Sequence, residues 1–571
     1  MKRFTGLPVS AGIAIGKVVV LKDIFLLPAE KKIDEGRVDA EIKRFENALK
    51  NAENDILETQ KKVVDVIGKK YGEIFGVHLM FLKDKFLREQ TIRNIKKHRV
   101  EAGRAFYMTI ESLQDLFGKS EADLAKDKRR DLLDVAEKIF SYLKGEKEVR
   151  IFDKPVIVVA HDLSPSQTVS FDKKYVLGFA TELGSGTSHT AIMAKALEIP
   201  AVVGLGDILQ EIEDGQQAIL DGIDGIFLVD PPCSAIKEYE IKKEQYIKQR
   251  KSFYLTRKLV AETPDGLRVN LVANISMPEE AATALKYGAE GIGLFRTEFL
   301  FLNRNDLPSE QEQYQSYRKV ASIMGKREVV IRTLDIGGDK FMSTFQSSME
   351  LNPFLGWRAI RFCLSRTDIF KTQLKAILRA GVHGNFKILI PMVSTLGEIK
   401  KTFSIIEESI EELKSEHKQF KRLPVGIMIE IPAAALQADI FAREVDFFSL
   451  GTNDLIQYTM AVDRVNEKVS YLYQPCNPAV VKLITMTVEA ARRADIEVSV
   501  CGETASIPET AVLFVGLGIK KLSMAPALIP QIKQAIRKIP FGMAKDIAEK
   551  VTSFSTHEDI FEFLKKSIKR V

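Results

Sequence analysis

The second half of the chain alternates short apolar runs with helical segments about eight times, and this alternation limits the possible folds more than any other feature. The eight candidate strands read, in order, RVNLVANI, GIGLFRTEF, VVIRTLDI, ILIPMV, PVGIMIEIP, FFSLGTND, EVSVCGETA and KLSMAP. Eight such units in about 300 residues are the number found in a (β/α)8 barrel. A doubly wound open sheet is the alternative, and the number of units favours the barrel.

Residues 34–145 are patterned as helices instead. Along the first helix, apolar residues recur at alternating steps of four and three, at Val38, Ile42, Phe45, Leu49, Ala52 and Ile56. This spacing places one apolar seam on a long helix whose other faces are polar. We therefore expect a helical bundle or a pair of helical hairpins.

Short β-rich runs lie on both sides of this helical segment, at the N-terminus and after residue 155. They predict one compact α/β domain into which the helices are inserted. A charged helical stretch of about 26 residues follows Asp230-Pro231-Pro232 and would span about 39 Å. The predicted domains are an α/β domain at 1–33 and 146–232, a helical insertion at 34–145, a linker helix at 233–261 and a barrel at 262–571.

The bulk composition excludes several classes of protein. Hydrophobic residues make up 45% and charged residues 28% of the 571 positions, as in ordinary globular proteins. The formal net charge of +6 is small for this length and comes without a long block of like charges, so no nucleic-acid partner is expected. Four scattered cysteines fit a reducing cytoplasm, and no run approaches the roughly 18 apolar residues of a membrane span. We expect a cytoplasmic protein without a membrane anchor.

Polar and charged residues gather where the candidate strands end, which in a (β/α)8 barrel is the face that carries the active site. These residues are Arg296, Glu298, Arg332, Asp335, Glu430, Asn453, Asp454, Cys501 and Glu503, with Arg464 slightly farther along the chain. A rim salt bridge would explain any one arginine, but it does not explain the whole set on successive strand ends. The pattern predicts one site.

The residue types at these strand ends suit a small and strongly anionic substrate. Arginine presents a planar fork of donors that matches phosphate and carboxylate. Glu430 and Asp454 could supply the two carboxylates with which proteins typically hold Mg²⁺. Cys501 could act as an acid or as a nucleophile. Together these residues indicate a substrate that bears both a phosphate and a carboxylate group.

His189 lies among small hydroxylated residues and glycines, in ELGSGTSHT, and an alanine-rich helical pattern follows it. Two interpretations are open. Serine and threonine are common N-terminal helix caps, which makes the histidine incidental. Alternatively, His189 could carry a phosphoryl group, because histidine is a nucleophile toward phosphorus and a helix N-terminus favours anions.

Motifs spread over the whole chain resemble enzyme I of the bacterial phosphotransferase system, the phosphoenolpyruvate–protein phosphotransferases. TSHTAIMAKALEIPAVVG is similar to the phosphohistidine motif of that family. The motifs that resemble its phosphoenolpyruvate (PEP)-binding domain are GIGLFRTEFLF, IRTLDIGGDK, NPFLGWRAIR, IMIEIPAAA, DFFSLGTNDLIQYTMAVDR and LYQPCNPAV. The resemblance implies autophosphorylation of the histidine from PEP with Mg²⁺, followed by transfer to a histidine of the small carrier protein HPr.

The resemblance also implies a role for each matching residue. His189 would be phosphorylated on Nε2, and Cys501 would protonate the enolate as pyruvate forms. Arg296 and Arg332 would bind the PEP phosphate. Arg464 and the Asn453 region would bind the PEP carboxylate. Glu430 and Asp454 would ligate Mg²⁺, and Asp454 would also border the substrate. Thr168, Lys340 and Arg358 would support the two sites.

The helical segment around GVHLMFLKD, which includes His78, resembles the HPr-binding subdomain of the family. An ordinary pattern of core and surface residues is the other interpretation of that segment. The family further implies a homodimer formed through the barrel domains.

Two positions depart from the pattern of the family. Gly186 occupies the place before TSH where a larger residue, often cationic, is usual, which could slow the transfer or alter its equilibrium. DLLD at 131–134 replaces the usual DVRD and removes an arginine from the helical insertion. Neither change affects a residue with an implied chemical role.

Two other functions would use some of the same residues. A dikinase or PEP synthase would share the histidine domain and the barrel, but it needs an ATP-binding domain, and no Gly-rich phosphate loop precedes residue 150. A non-catalytic PEP-sensing or partner-binding homologue is suggested only by Gly186. The retention of His189, the arginines, both carboxylates and Cys501 argues against it.

Overall fold

The computed structural model describes residues 1–21, 31–67, 74–118, 123–144, 152–163, 167–168, 171–172, 174–184, 189–301, 306–336, 352–464, 466 and 468–569. The chain forms two compact units, Met1–Gln249 and Arg250–Val571. The helix Cys233–Thr256 contains the boundary between them and falls where the sequence predicts a linker helix.

A mixed sheet forms the α/β part of the first unit. Its strands are β1 (Lys2–Thr5), β2 (Leu7–Ser10), β3 (Ile13–Leu21), β4 (Val156–Ala160), β5 (Val176–Thr181), β6 (Ala201–Val203), β7 (Gln217–Asp221) and β8 (Ile226–Val229). Their order in the sheet is β1-β8-β7-β3-β4-β5-β6-β2. Strands β3 to β6 pair in parallel, whereas the pairs that involve β1, β2, β7 and β8 are antiparallel.

Strand β4 shows why the sequences of the strands in this sheet are continuously apolar. All five of its residues are buried. Ile157 and Val159 belong to one hydrophobic cluster, whereas Val156, Val158 and Ala160 belong to another. Because side chains alternate across a strand, the sheet is covered on both faces.

The helical insertion lies between β3 and β4. Its helices are Val38–Ile67, Ile74–Leu82, Lys85–His98, Ala102–Gly118 and Asp123–Lys144. The seam predicted on the first helix forms part of the core of this insertion, since Phe45, Ala52 and Ile56 are fully buried. In the described ranges, no helix is both long enough and apolar enough to span a membrane.

The second unit contains a closed parallel barrel. Its strands are β9 (Asn270–Ile275), β10 (Ile292–Phe295), β11 (Glu328–Arg332), β12 (Asn385–Ile390), β13 (Val425–Ile429), β14 (Phe447–Leu450), β15 (Glu497–Val500) and β16 (Lys521–Met524). Neighbours in sequence pair in parallel, and β16 pairs with β9 to close the ring. The predicted (β/α)8 barrel is confirmed, and the open sheet is excluded.

Helices surround the barrel strands. They are Glu280–Lys286, Glu310–Met324, Ala359–Ser365, Thr367–Ala380, Leu396–Ser415, Pro432–Leu436, Ala438–Phe441, Thr452–Met460, Pro478–Ala494, Pro508–Gly516, Ile529–Lys538, Phe541–Val551 and His557–Lys569. The carboxyl ends of the strands open onto one face, which we call the mouth. Below the mouth, the barrel interior is packed with Leu294, Val330, Leu389, Met428, Phe447 and Cys501.

Charged residues occupy the opposite end of the barrel, where strands begin. Lys521 donates to Glu328 and to Glu497, at 2.6 Å in each case. Lys387 lies 2.7 Å from Glu328 and 3.0 Å from Glu497. These four residues, the charge ring, connect β11, β12, β15 and β16 by alternating charges.

Candidate active site

Interlocked charges at the mouth hold two arginines in fixed positions. Arg332, the last residue of β11, donates to Glu298 at 2.8 Å and lies 2.8 Å from Asp335. Arg358 approaches the other oxygen of Asp335 from the opposite side, at 2.7 Å through Nη2 and 3.2 Å through Nε. Asp335 therefore fixes both guanidinium groups, and all of these side chains are largely shielded from solvent.

The electrostatics of this cluster favour a bound anion. Burial alone would raise the pKa of Asp335, but the charges of Arg332, Arg358 and Arg296 outweigh burial and hold that pKa below its usual value. The Nε donor of Arg332 is buried and has no hydrogen-bond partner in the described part of the chain. A buried unpaired donor is costly, so this N–H is available to an acceptor on a ligand.

Glu430 and Asp454 place two further carboxylates at the mouth. Glu430 directly follows β13 and is only 2% exposed. Asp454 lies on the first turn of the helix after β14, 3.8 Å from Arg358. Burial, together with the charges of Asp454 and Asp335, raises the pKa of Glu430 well above its usual value. Burial and the charge of Asp335 also raise the pKa of Asp454, although Arg358 opposes them.

Left-handed backbone conformations occur beside these charged groups. Met392 has a φ of 58°, and its N–H donates to Glu430 at 2.6 Å. Ala359, which follows Arg358, has a φ of 50°. Such conformations are uncommon for residues other than glycine and gather at functional sites, where the surrounding structure enforces them.

Two glycines allow the strand ends to approach one another. A Cβ at Gly451 would lie 2.8 Å from a carboxylate oxygen of Glu430. A Cβ at Gly502 would lie 1.7 Å from the hydroxyl oxygen of Thr452. Both distances are too short for any side chain, so the positions of Glu430 and of the helix that begins at Thr452 depend on these glycines.

Cys501 directly follows β15, and its side chain points into the interior of the barrel. Its Sγ lies 3.4 Å from the carbonyl oxygen of Leu450, and the residue is 4% exposed. Burial, reinforced by the charge of Glu430, raises the pKa of the thiol to about 11. The sulfur is therefore protonated at neutral pH, and it is suited to donate a proton rather than to attack as a thiolate.

The remaining predicted residues border this cluster. The side chain of Asn453 accepts from the backbone N–H of Glu503 at 3.0 Å, which ties the end of β14 to the segment after β15. Arg464 is more exposed, and its charge acts on Asp454 and on Tyr473. The backbone N–H of Arg296 donates to Ile275 at 2.9 Å, which fixes the point where the chain leaves β10.

Two polar residues that were not predicted as site residues hold the strand ends at the mouth in place. Asn274, on β9, donates to the carbonyl of Cys501 at 3.2 Å and accepts from Ser523 at 2.5 Å. Gln373 is 1% exposed and donates to the hydroxyl of Thr297 at 3.1 Å. The same amide accepts from the backbone N–H of Leu334 at 2.9 Å.

The sequence contains an indication for each of these two residues. Asn274 interrupts the apolar run NLVANI, and Gln373 falls on the apolar face of the helix Thr367–Ala380. A polar residue at a position that the pattern buries is expected to have a specific partner.

The predicted phosphohistidine segment belongs to the first unit. His189 is the first residue of the helix His189–Leu197. Thr190, the next residue, is buried and donates to the carbonyl of Leu163 at 2.8 Å, which anchors this helix end to the segment after β4. Thr168 is fully buried. Gly186 and Lys340 lie outside the described residues.

Comparisons with known families place the chain among the PEP-utilising enzymes. Residues 250–541 match the model for the PEP-binding domain of PEP-utilising enzymes. Residues 5–128 match the N-terminal domain of such enzymes, and residues 152–225 match their mobile domain.

Similar curated proteins show which PEP-utilising enzymes this chain resembles over its full length. The phosphoenolpyruvate-protein phosphotransferase of Bacillus subtilis is 40% identical over all of this chain and all of its own length. The enzyme of the same name from Staphylococcus aureus is 38% identical, again with full coverage of both chains. Among solved structures, an NMR structure titled Enzyme I (nEIt) is 39% identical over 43% of this chain and 99% of its own, with a TM-score of 0.36.

The chain belongs to the phosphoenolpyruvate-protein phosphotransferase family, that is, to the enzyme I transferases. These relatives give no support to a non-catalytic sensing homologue.

Proposed function

We propose that this chain takes the phosphoryl group of PEP onto His189 and passes it to a histidine of the carrier protein HPr. The observation that carries the proposal is the mouth. There, fixed arginines and a buried Arg332 donor that has no partner among the described residues adjoin two carboxylates and a protonated thiol. A substrate with a phosphate, a carboxylate and a carbon that must be protonated matches this set of groups.

PEP recognition follows from the charges at the mouth. Arg296 and Arg332 bind the phosphate, while Arg464 and Asn453 bind the carboxylate. Phosphoryl transfer requires little covalent chemistry from the protein, so placement and charge neutralisation provide most of the rate enhancement. Because Asp335 already holds Arg332 and Arg358, little reorganisation is needed when the substrate arrives.

The transfer step moves the phosphoryl group from the PEP oxygen to the imidazole Nε2 of His189. The bond between phosphorus and the enol oxygen breaks, and its electron pair remains on the enolate. Cys501 then gives its proton to the methylene carbon, and pyruvate forms. Burial keeps this thiol protonated until that step, since its pKa is raised to about 11.

PEP-utilising enzymes use a metal, and we assign Mg²⁺ to Glu430 and Asp454. Burial and neighbouring carboxylates raise the pKa of both groups, and a bound cation would favour their charged forms. In the described ranges, no group of three or more His, Cys, Asp or Glu residues could hold a metal ion, so water and substrate oxygens would have to supply the other ligands of a Mg²⁺ held by these two carboxylates. Bound there, Mg²⁺ would neutralise negative charge on the phosphate and on the enolate oxygen.

HPr is assigned to the helical insertion, residues 34–145. Met80 is 73% exposed and Phe86 is 50% exposed, on adjacent helices of that insertion. Burial of these two side chains against a partner would remove apolar surface from water. His78 takes no direct part, because it is 1% exposed and lies 3.6 Å from Asp134.

A homodimer through the barrel is the expected assembly. Large apolar side chains are exposed on segments that follow the barrel strands; these are Phe354, Leu355, Leu436, Ile440 and Tyr471. Burial of such side chains against a second copy would remove apolar surface from water.

Labelled PEP tests the proposal. The full chain is incubated with PEP labelled on its phosphate, with and without Mg²⁺, alongside His189→Ala and the control His98→Ala, which removes an exposed histidine. We expect acid-labile label that requires Mg²⁺, persists in the control and is lost in His189→Ala. Absence of label on the unmutated chain despite measurable PEP binding would refute the transfer.

A further inference from the structure

A cavity of about 670 Å³ opens at the end of the barrel opposite the mouth. Arg268 precedes β9, Glu290 precedes β10 and Arg327 precedes β11, so the cavity adjoins the starts of three consecutive strands. Its lining residues are Arg257, Lys258, Arg268, Leu285, Lys286, Gly288, Ala289, Glu290 and Arg327, and we call it the basic cavity.

The lining of the basic cavity is strongly cationic. Five lysine or arginine side chains and a single carboxylate, Glu290, line it. Glu290 lies 2.8 Å from Arg268 and neutralises that residue. Lys258, Lys286 and Arg327 form no salt bridge with another residue in the described ranges. Like charges brought together without compensation repel one another, so this arrangement favours an anionic ligand.

A buried cation lies behind the wall of the basic cavity. Lys533 is 1% exposed and donates to the carbonyls of Arg257 and Gly288, two lining residues, at 2.9 and 3.2 Å. Burial lowers the pKa of Lys533; the charge of Glu290 opposes that effect, and the charge of Arg537 adds to it. Neutral carbonyls do not cancel the charge of a protonated lysine, and an anion in the cavity would add to the compensation that Glu290 provides.

Gly288 gives this wall its shape. Its φ is +83°, and a Cβ there would lie 2.1 Å from the carbonyl oxygen of Arg257. The close approach lets one lysine, Lys533, hold both carbonyls at once. The wall is therefore a fixed structure of the folded barrel and does not depend on a ligand.

We propose that the basic cavity binds a small molecule carrying two or more linked phosphate groups. Its volume is within the range of small-molecule sites, which are concave and of about 300–1,000 Å³. The cations lie around one concavity rather than along an extended stripe, which favours a compact ligand over a nucleic acid. A single phosphate carries fewer charges than the uncompensated cations of the cavity, whereas a diphosphate or triphosphate matches them.

Calorimetric titration with inorganic pyrophosphate and with ATP tests the proposal, on the full chain without Mg²⁺ and at about 0.15 M salt, where distant surface charges are screened. The variant is Lys286→Gln with Arg327→Gln. The matched control is Lys400→Gln with Lys401→Gln, two exposed lysines on the helix Leu396–Ser415. Both double variants lose the same charge from exposed positions, and thermal unfolding verifies that each is folded.

We expect pyrophosphate to bind the unmutated chain and the control alike, and the cavity variant at least about tenfold more weakly. Equal affinity for ATP and pyrophosphate assigns recognition to the phosphate chain, and tighter binding of ATP adds recognition of the nucleoside; both support the proposal. Ligand held at the mouth would lose no affinity in either variant. Three results would overturn the proposal. They are equal affinities of pyrophosphate for all three chains, an equal loss of affinity in both variants, and binding of pyrophosphate no tighter than the binding of sulfate measured in the same way.

Discussion

Asp335 is the residue on which the geometry of the mouth depends. It contacts Arg332 through one oxygen and Arg358 through the other. Without Asp335, two buried guanidinium groups would repel each other and lose their common anchor. The carboxylate is only 3% exposed, so its role in the structure is to orient the two guanidinium groups.

Replacement of Arg358 by glutamine should raise the KM for PEP by about 10- to 100-fold, because a charge-assisted hydrogen bond to a buried group contributes about 1.5–3 kcal/mol. Asp335 would lose one of its two arginine partners, and Arg332 would then be held less firmly. Coupled assay of pyruvate release measures the effect. Arg366→Gln, which removes a partly exposed arginine paired with Asp368, is the control and should leave KM unchanged.

Replacement of Cys501 by serine should lower kcat and leave KM for PEP nearly unchanged. An alcohol is a much weaker acid than a thiol, and a positioned proton donor typically contributes about 10²- to 10⁴-fold. Because burial raises the pKa of Cys501 to about 11, its titration should add no pH dependence to kcat at neutral pH, and activity should fall only as pH rises toward that value. An unchanged kcat in the serine variant would exclude Cys501 as the donor.

The set of residues that lie together at the mouth could be predicted from the sequence, because a barrel brings the carboxyl ends of all its strands to one face. Arg332, Glu430, Asp454 and Cys501 are brought together in this way. The partners of Asn274 and Gln373 could not be predicted, because those hydrogen bonds join segments far apart in the chain. The apolar pattern around them shows that Asn274 and Gln373 lie on apolar segments, but it does not show which residue either side chain faces.

The two ends of the barrel strands carry charged groups of different kinds. At the mouth, charged groups have incomplete compensation and are ready for a ligand. In the charge ring, each cation contacts two carboxylates and each carboxylate contacts two cations. The ring was not predicted, because lysine and glutamate at strand starts read as exposed positions.

Lys521→Met should destabilise the barrel by about 3 kcal/mol, since removal of one partner leaves the carboxylates of a shielded ion cluster with too little positive charge. Urea unfolding measures the loss, and Lys414→Met, which breaks only an exposed pair with Glu411, is the control. The loss should depend on pH. Burial would raise the pKa of Glu497, but Lys521 and Lys387 lower it, so its contribution is present above about pH 4.3 and disappears as pH falls through the lowered value.

An equal loss of stability in Lys414→Met would show that the charge ring has no special weight. So would a difference between Lys521→Met and the unmutated chain that stayed constant down to strongly acidic pH.

At the scale of the whole molecule, the chain consists of two compact units that meet within one helix. The eightfold alternation predicted the second unit well because sequential parallel strands have only one way to close. The strand order of the first sheet could not be predicted, because β1, β2 and β7 pair antiparallel with β8, β6 and β3, which are distant in sequence. Pairings of that kind leave no periodic signal.

PEP should stabilise the two units unequally. In calorimetry of His189→Ala, which prevents phosphorylation, the barrel transition should move upward by a few degrees, because a ligand at about 100 times its Kd adds about 2.7 kcal/mol. The transition of the first unit should not move. Lys521→Met identifies the barrel transition by lowering it, and equal shifts of all transitions would contradict independent unfolding of the units.

The first ten residues form both margins of the eight-stranded sheet. β1 pairs with β8 at one margin and β2 with β6 at the other, and only Gly6 separates the two strands. Removal of this short segment would uncover two rows of backbone donors and acceptors at once, and exposed rows of that kind recruit strands from other molecules. Versions of the chain that lack this segment should therefore lose solubility before they lose catalytic activity.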